Sequence, residues 1–449
     1  MSNASIVVML GDSVPAGRDC SNSLLERTPR HHPACAYPSR LVSALSASSS
    51  KLVRLHDLTV GGYSTAAMLP SLPSMLTGLD LPHERTLILA DWSANDADQK
   101  PEVLTAALEL FVRYTLTTFW WAALIIVETH VLLPANNTRS STYRRVAHHY
   151  GLPYFRFGAT IRSLAEWAAC CPPLEESQRE QRAVQCFRSM GNNLSFLLKQ
   201  ACPTHPPAST HQRIAEALQS FISSTDTLAN GYRDKSRALP RPLSKPAVLK
   251  HHTLCAEPLS YFTAATAMLR NSPSTAGVHV QPEDTWRLFE DVPGKPGWVA
   301  RDAPANSTIS FRLRFGASPR AHLAYLRGYD LVGEVEITMS DVSFPIGALR
   351  GTRVGMSQQN RCRLRARRDD DAMLTQVCVV SFQAHSELMQ NYAMQPTSWP
   401  PHDVGGTLGF GLPPYSNATL SIRLLPCNMD DNAGTTGACK FKITSVTSC

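Results

Sequence analysis

The sequence predicts an α/β domain built on a parallel sheet, followed by a separate antiparallel β-sandwich. Three observations carry this reading. From residue 1 to about 225, short apolar runs alternate with stretches of helical periodicity, the pattern of a parallel sheet with helices on both faces. From Asp226 to Lys250 the chain turns polar and rich in Pro, Arg, Lys and Ser, as a linker does. From about residue 275 the apolar segments become short and partly alternating, between turns rich in Gly, Pro and Asp. The expected division is 1–225, a linker at 226–250, and 251–449. A chain of 449 residues exceeds one compact core and fits two domains.

The first strand, 6–10, is apolar throughout and rich in β-branched residues, which fits a central strand covered on both faces. Gly11 releases the backbone, and Pro15 and Gly17 hold a turn. Ser13 therefore falls at the carboxyl end of that strand, the edge where open α/β sheets bind ligands; taken alone it equally fits a helix cap. Further strands are expected at 52–60, 86–91, 122–128 and 153–158, and helices at 37–48, 65–77, 102–116, 139–149 and 210–223. In the last helix Ser209-Thr210-His211-Gln212 reads as a capping box, and Ile214, Leu218, Phe221 and Ile222 form its buried stripe. The apolar stretch 103–127 is not a membrane span, because Glu109 and Arg113 interrupt it and its period changes midway. Trp120 and Trp121 read as core or layer-boundary aromatics.

In the second domain STISFRLRFG, HLAYLRGYDLVGEVEITM, LTQVCVVSFQAH, ATLSIRLLPC and KFKITSV read as strands of a jelly-roll-like sandwich. Arg361, Arg363, Arg365 and Arg367 alternate along one segment. They form either a solvated sheet face balanced by Asp369 to Asp371 or a site for an anionic glycan. Trp286, Trp298 and Trp399 fit core or interdomain positions better than sugar stacking.

A formal charge of +7 permits weak attraction to anionic partners and does not indicate nucleic acid. Twelve cysteines show no CxxC pair or zinc spacing, so no metal and no cofactor is expected. Several lie in loop-like sequence: Cys170, Cys171, Cys186 and Cys202, then Cys427, Cys439 and Cys449, of which Cys427 and Cys439 make a plausible local bridge. With Asn-x-Ser/Thr sequons at Asn136, Asn193, Asn306 and Asn417, they point to a secreted or secretory-lumen protein. No signal peptide is expected in the first ten residues, which supply strand one, so the chain is either a trimmed or truncated form or an intracellular protein with free thiols.

The other strand ends carry the chemistry. Thr59-Val60-Gly61-Gly62-Tyr63-Ser64 follows the second strand, Asp91-Trp92-Ser93-Ala94-Asn95-Asp96 follows the third, and Cys202-Pro203-Thr204-His205 precedes the last helix. Together with Ser13 they supply what acyl transfer needs: a hydroxyl nucleophile, a base, and donors for an oxyanion.

In these residues the sequence resembles the SGNH/GDSL hydrolase superfamily, named for Ser, Gly, Asn and His in four blocks. Gly11-Asp12-Ser13, Gly62, Asn95-Asp96 and His205-Pro206 stand in the family's order, each at the right kind of element. The resemblance covers residues 1 to about 225 and implies a flavodoxin-like three-layer α/β/α fold and ester hydrolysis or acyl transfer. It implies Ser13 as nucleophile and His205 as general base and then acid. The oxyanion donors are the N–H groups of Ser13 and Gly62 and the Asn95 amide, with Asp12 a structural hydrogen-bonding residue. His205 is preferred over His211, which falls inside the first helical turn. The family places an Asp three residues before that His; here the position is Cys202, so a Ser–His dyad is expected.

The resulting expectation is an esterase that removes acyl groups, acetyl foremost, from a carbohydrate. An O-acyltransferase using the same site, and a glycan-binding or wall-associated protein that has lost turnover, are the alternatives. Labelling by a fluorophosphonate probe, mapped to Ser13, separates the enzymes from the binding protein.

Overall fold

The computed structural model describes residues 5–17, 20, 33–49, 51–77, 79, 81–82, 85–96, 99–129, 138–157, 206, 208–229 and 238–245 of the first part of the chain. In the second part it describes 259–264, 279–282, 285–290, 296–301, 307–316, 320–327, 334–339, 348–350, 376–384, 407–410, 417–424 and 440–449. The chain divides into two compact units, residues 1–66 with 80–252, and residues 67–79 with 253–449.

The first unit holds five parallel strands in the order β2-β1-β3-β4-β5, where β1 is Ser5–Gly11, β2 Val53–Thr59, β3 Thr86–Asp91, β4 Ala123–Glu128 and β5 Tyr154–Arg156. All pairs are parallel, in register Gly11↔Thr59 and Gly11↔Asp91 where the first three strands end. Those ends are therefore level, and the loops after them emerge side by side.

The helices between them are α1 (Tyr37–Ser49), α2 (Thr65–Met68), α3 (Leu72–Thr77), α4 (Pro101–Thr118), α5 (Thr138–His149) and α6 (Ala208–Ala229). The single helix expected at 65–77 is split, because Pro70 has no N–H and Ser71 instead closes a turn onto the Met68 carbonyl at 3.0 Å. The apolar stretch 103–127 separates into α4 and β4, with the Phe119 N–H capping onto Thr115 at 2.8 Å. No described helix is long and apolar enough to cross a membrane. Helix α6 begins at Ala208, so Ser209 stands inside the first turn and is not the cap expected of it. Its stripe is as expected: Ile214, Ala215 and Leu218 are buried against Val7, Met9, Tyr37 and Phe155, with Phe221 and Ile222 at the margin.

Within 226–250, the expected linker, α6 continues to Ala229 and residues 238–245 lie on the first unit. Buried Glu109 of α4 accepts the N–H groups of Leu243 and Ser244 at 2.6 and 2.7 Å and the Tyr150 hydroxyl at 2.6 Å. Arg113 donates to the Pro240 carbonyl at 2.7 Å. The two charges that broke the apolar run thus serve as a clamp for this strap.

The second unit holds two sheets. One has the order β13-β12-β16-β10-β7, from Ala348–Arg350, Glu334–Met339, Asn417–Leu424, Thr308–Arg314 and His279–Pro282. The other has the order β15-β14-β11-β17-β9-β8, from Thr407–Phe410, Gln376–Ala384, Arg320–Arg327, Lys440–Ser448, Gly297–Arg301 and Trp286–Phe289, with β6 (Ser260–Thr263) also on β17. Strands β10 and β16 alternate cleanly, sending Ile309, Phe311, Leu313, Leu420 and Ile422 into one core with Trp298, Leu323, Phe441 and Val446. Trp286 and Trp298 belong to that core. Two features depart from a simple antiparallel sandwich. Strands β14 and β15 pair parallel, and β17 is buried along nearly its whole length on both faces, Lys442 included. The Arg361, Arg363, Arg365 and Arg367 segment and Trp399 lie outside the described residues.

Two outcomes follow. Replacing Gly11 with Ala sets a Cβ 2.3 Å from the Asp91 carbonyl oxygen and 2.6 Å from Pro15. Because that carbonyl is a sheet atom that already accepts the Asp12 N–H at 3.0 Å, G11A is expected to cost ~1–3 kcal/mol in urea unfolding. For the strap, burial pushes the Glu109 carboxyl upward, but Tyr150 and the Leu243 and Ser244 N–H groups outweigh it, and the net shift is downward. The strap is therefore held above the ordinary Glu range and released as pH falls through the depressed value. Hydrogen exchange at Leu243 and Ser244 should rise on that acidification, and at neutral pH in Glu109→Ala.

Candidate active site

Gly11 is the last residue of β1, and its lack of a side chain is what lets the chain pass close to the Asp91 carbonyl. The backbone freedom expected of Gly11 is instead required at Gly17 (φ 73°), where the turn closes through Gly17 N–H to Val14 O at 3.0 Å. Between them, residues 12–16 are all buried, and Ser13 is 6% exposed. A disulfide between Cys20 and Cys35 ties the exit of this turn to the entry of α1. Cys449 is likewise disulfide-bonded, and Cys170, Cys171, Cys186, Cys202, Cys427 and Cys439 lie outside the described residues.

Asp12 turns inward. Its Oδ1 accepts the Val14 N–H at 2.9 Å, and its Oδ2 accepts the N–H groups of Ala94 at 2.9 Å and Asn95 at 3.2 Å. One carboxylate thus joins the turn that carries Ser13 to the loop that carries Asn95. Burial, then the charge of Asp91, push the Asp12 carboxyl well above the usual range, against the pull of the three N–H donors.

The loop after β3 is fixed at further points. Asp91, also raised by burial, accepts the Ser93 hydroxyl at 2.6 Å, the Tyr37 hydroxyl at 3.1 Å and the Thr129 hydroxyl. Asp96 accepts the Thr65 N–H at 2.9 Å and the Tyr143 hydroxyl at 2.6 Å, which ties this loop to the one carrying Gly62. Burial raises the Asp96 carboxyl to about 6. Gly62 has φ 91°, a conformation that itself selects glycine. At the centre, Asn95 is 5% exposed and its Nδ2 is buried without a hydrogen-bond partner among the described residues. A buried amide N–H₂ with nothing to donate to carries a desolvation cost, unless a ligand oxygen takes the bond.

Ser13, Gly62 and Asn95 thus lie on adjacent loops at the carboxyl ends of β1, β2 and β3. His205 and Cys202 lie outside the described residues. His211 is fully buried in the first turn of α6, where its Nδ1 accepts the Tyr37 main-chain N–H at 3.1 Å and its ring stacks on Tyr37. It is committed to the entry of α1. Sequence reading did not single out Asp91, Tyr37, Thr129 or Arg139; Asp91 at the tip of an otherwise apolar strand was the one visible signal.

No protein-family model matches the sequence, and no curated protein does. Solved structures do. A two-domain esterase active on acetylated mannans, co-crystallised with mannopentaose, is 14% identical, with 99% of this chain and 90% of that one covered and a TM-score of 0.51. A family two carbohydrate esterase from Clostridium thermocellum, in complex with cellohexaose, is 12% identical over 51% of this chain and 65% of that one, with a TM-score of 0.34. A GDSL-like lipase from Parabacteroides merdae is 11% identical over 49% of this chain and 95% of that one, with a TM-score of 0.32. The likeness to the first is one of fold, over 99% of this chain.

Proposed function

We propose that this protein is a serine esterase that removes acyl groups, acetyl foremost, from a carbohydrate. The observation that carries the reading is the Asn95 amide, buried and, among the described residues, unpartnered, on a loop that Asp12 binds to the Ser13 turn. In this mechanism Ser13 Oγ attacks the ester carbonyl while His205 takes its proton, and the charge that forms on oxygen is met by Asn95 Nδ2 and the N–H groups of Ser13 and Gly62. The collapsing intermediate expels the alcohol, protonated by His205, and water then repeats the sequence on the acyl-enzyme. The carbohydrate part is supported by fold likeness to a two-domain esterase described as active on acetylated mannans. A secretory location is supported by the Cys20–Cys35 disulfide and by the exposed sequon residue Asn417.

With Cys202 where a triad acid is expected, the proposed site is a Ser13–His205 dyad. A dyad lacks the triad acid that orients the imidazole and stabilises the imidazolium.

Ser13→Ala should abolish hydrolysis of an activated acetyl ester and labelling by a fluorophosphonate, with the fold intact by circular dichroism. Asn95→Ala should lower kcat ~100-fold or more. Wild-type rates in folded Ser13→Ala protein would sink the mechanism. For the dyad, Cys202→Asp, where Cys202 carries no disulfide, should raise turnover and displace the acidic limb of the pH–rate profile. An unchanged profile in that variant, with another acid proving essential, counts against it.

A further inference from the structure

The loop that carries Asn95 is also held from a side that the ester mechanism leaves unused. Arg139, in the first turn of α5 and 3% exposed, donates from Nη1 to the Ser93 carbonyl at 2.8 Å. Its Nη2 reaches Glu128 Oε1 at 3.0 Å. Glu128, the last residue of β4 and 2% exposed, also accepts the Ser140 hydroxyl at 2.5 Å and the Tyr154 hydroxyl, and Arg156 Nε stands 3.8 Å away. The two buried charges are thus paired with each other, which is the condition for keeping them inside a protein.

Besides pairing with Glu128, the guanidinium takes up the Ser93 carbonyl, so the position of that carbonyl matters. Ser93 O and Ala94 N–H are opposite ends of one rigid peptide plane. Arg139 holds the oxygen end, and Asp12 Oδ2 holds the N–H end at 2.9 Å and also the next N–H, that of Asn95. Rotation of this plane, the motion that would swing Asn95, breaks a hydrogen bond at each end, the one to the Arg139 guanidinium charge-assisted. The Ser93 side chain is pinned as well, accepting the Thr129 N–H at 3.2 Å and donating to Asp91 at 2.6 Å. A continuous series of contacts therefore runs from β4 and α5 to the Ser13 turn.

We propose that Arg139 is a positioning residue: by locking the Ser93–Ala94 peptide plane against Asp12, it holds the Asn95 amide in place before substrate arrives. The proposal rests on the ester reading for its catalytic meaning, but its structural content stands apart from it. An oxyanion donor stabilises a transition state only to the extent that it needs no reorientation when charge develops. Arginine suits the task because its planar fork serves the Ser93 carbonyl and Glu128 together, which an ammonium on a flexible stem does not reproduce.

The test compares wild type, Asn95→Ala, the double variant Arg139→Met with Glu128→Gln, and the triple variant that adds Asn95→Ala. The double variant removes both charges at once, so that neither is left buried alone. It should unfold cooperatively yet lose roughly ten- to a hundred-fold in kcat on an activated acetyl ester, with KM within about threefold of wild type. Amide exchange at Ala94 and Asn95 should rise. Because Arg139 acts through Asn95, the triple variant should be little slower than Asn95→Ala alone. Wild-type kcat in the double variant, or losses that multiply in the triple variant, overturn the proposal. Should wild type itself show no turnover, the ester reading fails, and exchange decides the positioning role alone: faster exchange in the double variant upholds it, and unchanged exchange overturns it.

Discussion

The site depends on one buried carboxylate. Asp12 is fully buried and satisfies its two oxygens with three main-chain N–H groups, one from its own turn and two from the loop after β3. Such an arrangement exists only if the two loops hold a fixed spacing, and the parallel register of β1 and β3 sets that spacing by ending both strands level at Gly11 and Asp91. Gly11 is the permissive element, since a side chain there would meet the Asp91 carbonyl. Strand register, a missing Cβ and a buried acid are therefore parts of one constraint.

Around that carboxylate the sheet edge is built from acids facing inward. Asp12, Asp91 and Asp96 are all fully buried and all raised by desolvation, and each is paired with main-chain N–H or hydroxyl donors from another element. Burying acids costs stability as their pKa values rise, and the contacts they make are with loops that would otherwise have no regular structure. The return is rigidity where loops are ordinarily mobile. Arg139 and Glu128 extend the scheme outward with a matched pair, and the Cys20–Cys35 disulfide fastens the turn from its other end. Among the described residues, Asn95 Nδ2 and Trp92 Nε1 of this loop are buried without a hydrogen-bond partner, and a free buried donor such as the Asn95 amide is what the proposed oxyanion contact requires.

The second unit shows another use of the same economy. Its core is filled by alternating strands such as β10 and β16, while β17 is covered on both faces and takes Thr, Ser and even Lys442 inside. The alkyl stem of Lys442 runs over Gly297, where any Cβ would stand 2.5 Å from it, so the lysine is accommodated as a long apolar chain with a polar end.

The sequence by itself determined the alternation of strands and helices in the first unit, the longer strands β10, β11, β12, β14, β16 and β17 of the second but not the short β6, β7, β8, β9, β13 and β15, and the adjacency of Ser13, Gly62 and Asn95 to strand ends, because period and turn chemistry are local properties of the chain. Helix ends lie within two residues of the expected ones except at two places: Pro70 split the helix at 65–77, and α6 runs past its expected end at 223 to Ala229. The strand order β2-β1-β3-β4-β5 and the parallel β14–β15 pair were decided only in three dimensions, since pairing partners are set by packing between segments far apart in sequence. The same holds for the roles of Asp91, Glu109 and Arg139. Each looked like an ordinary polar residue in an apolar or helical stretch, and became a clamp because folding brought a Tyr37 hydroxyl, the Leu243 and Ser244 amides or the Ser93 carbonyl to within hydrogen-bond reach. No sequence period encodes such contacts, because a buried charge is tolerated only by partners that the tertiary structure supplies.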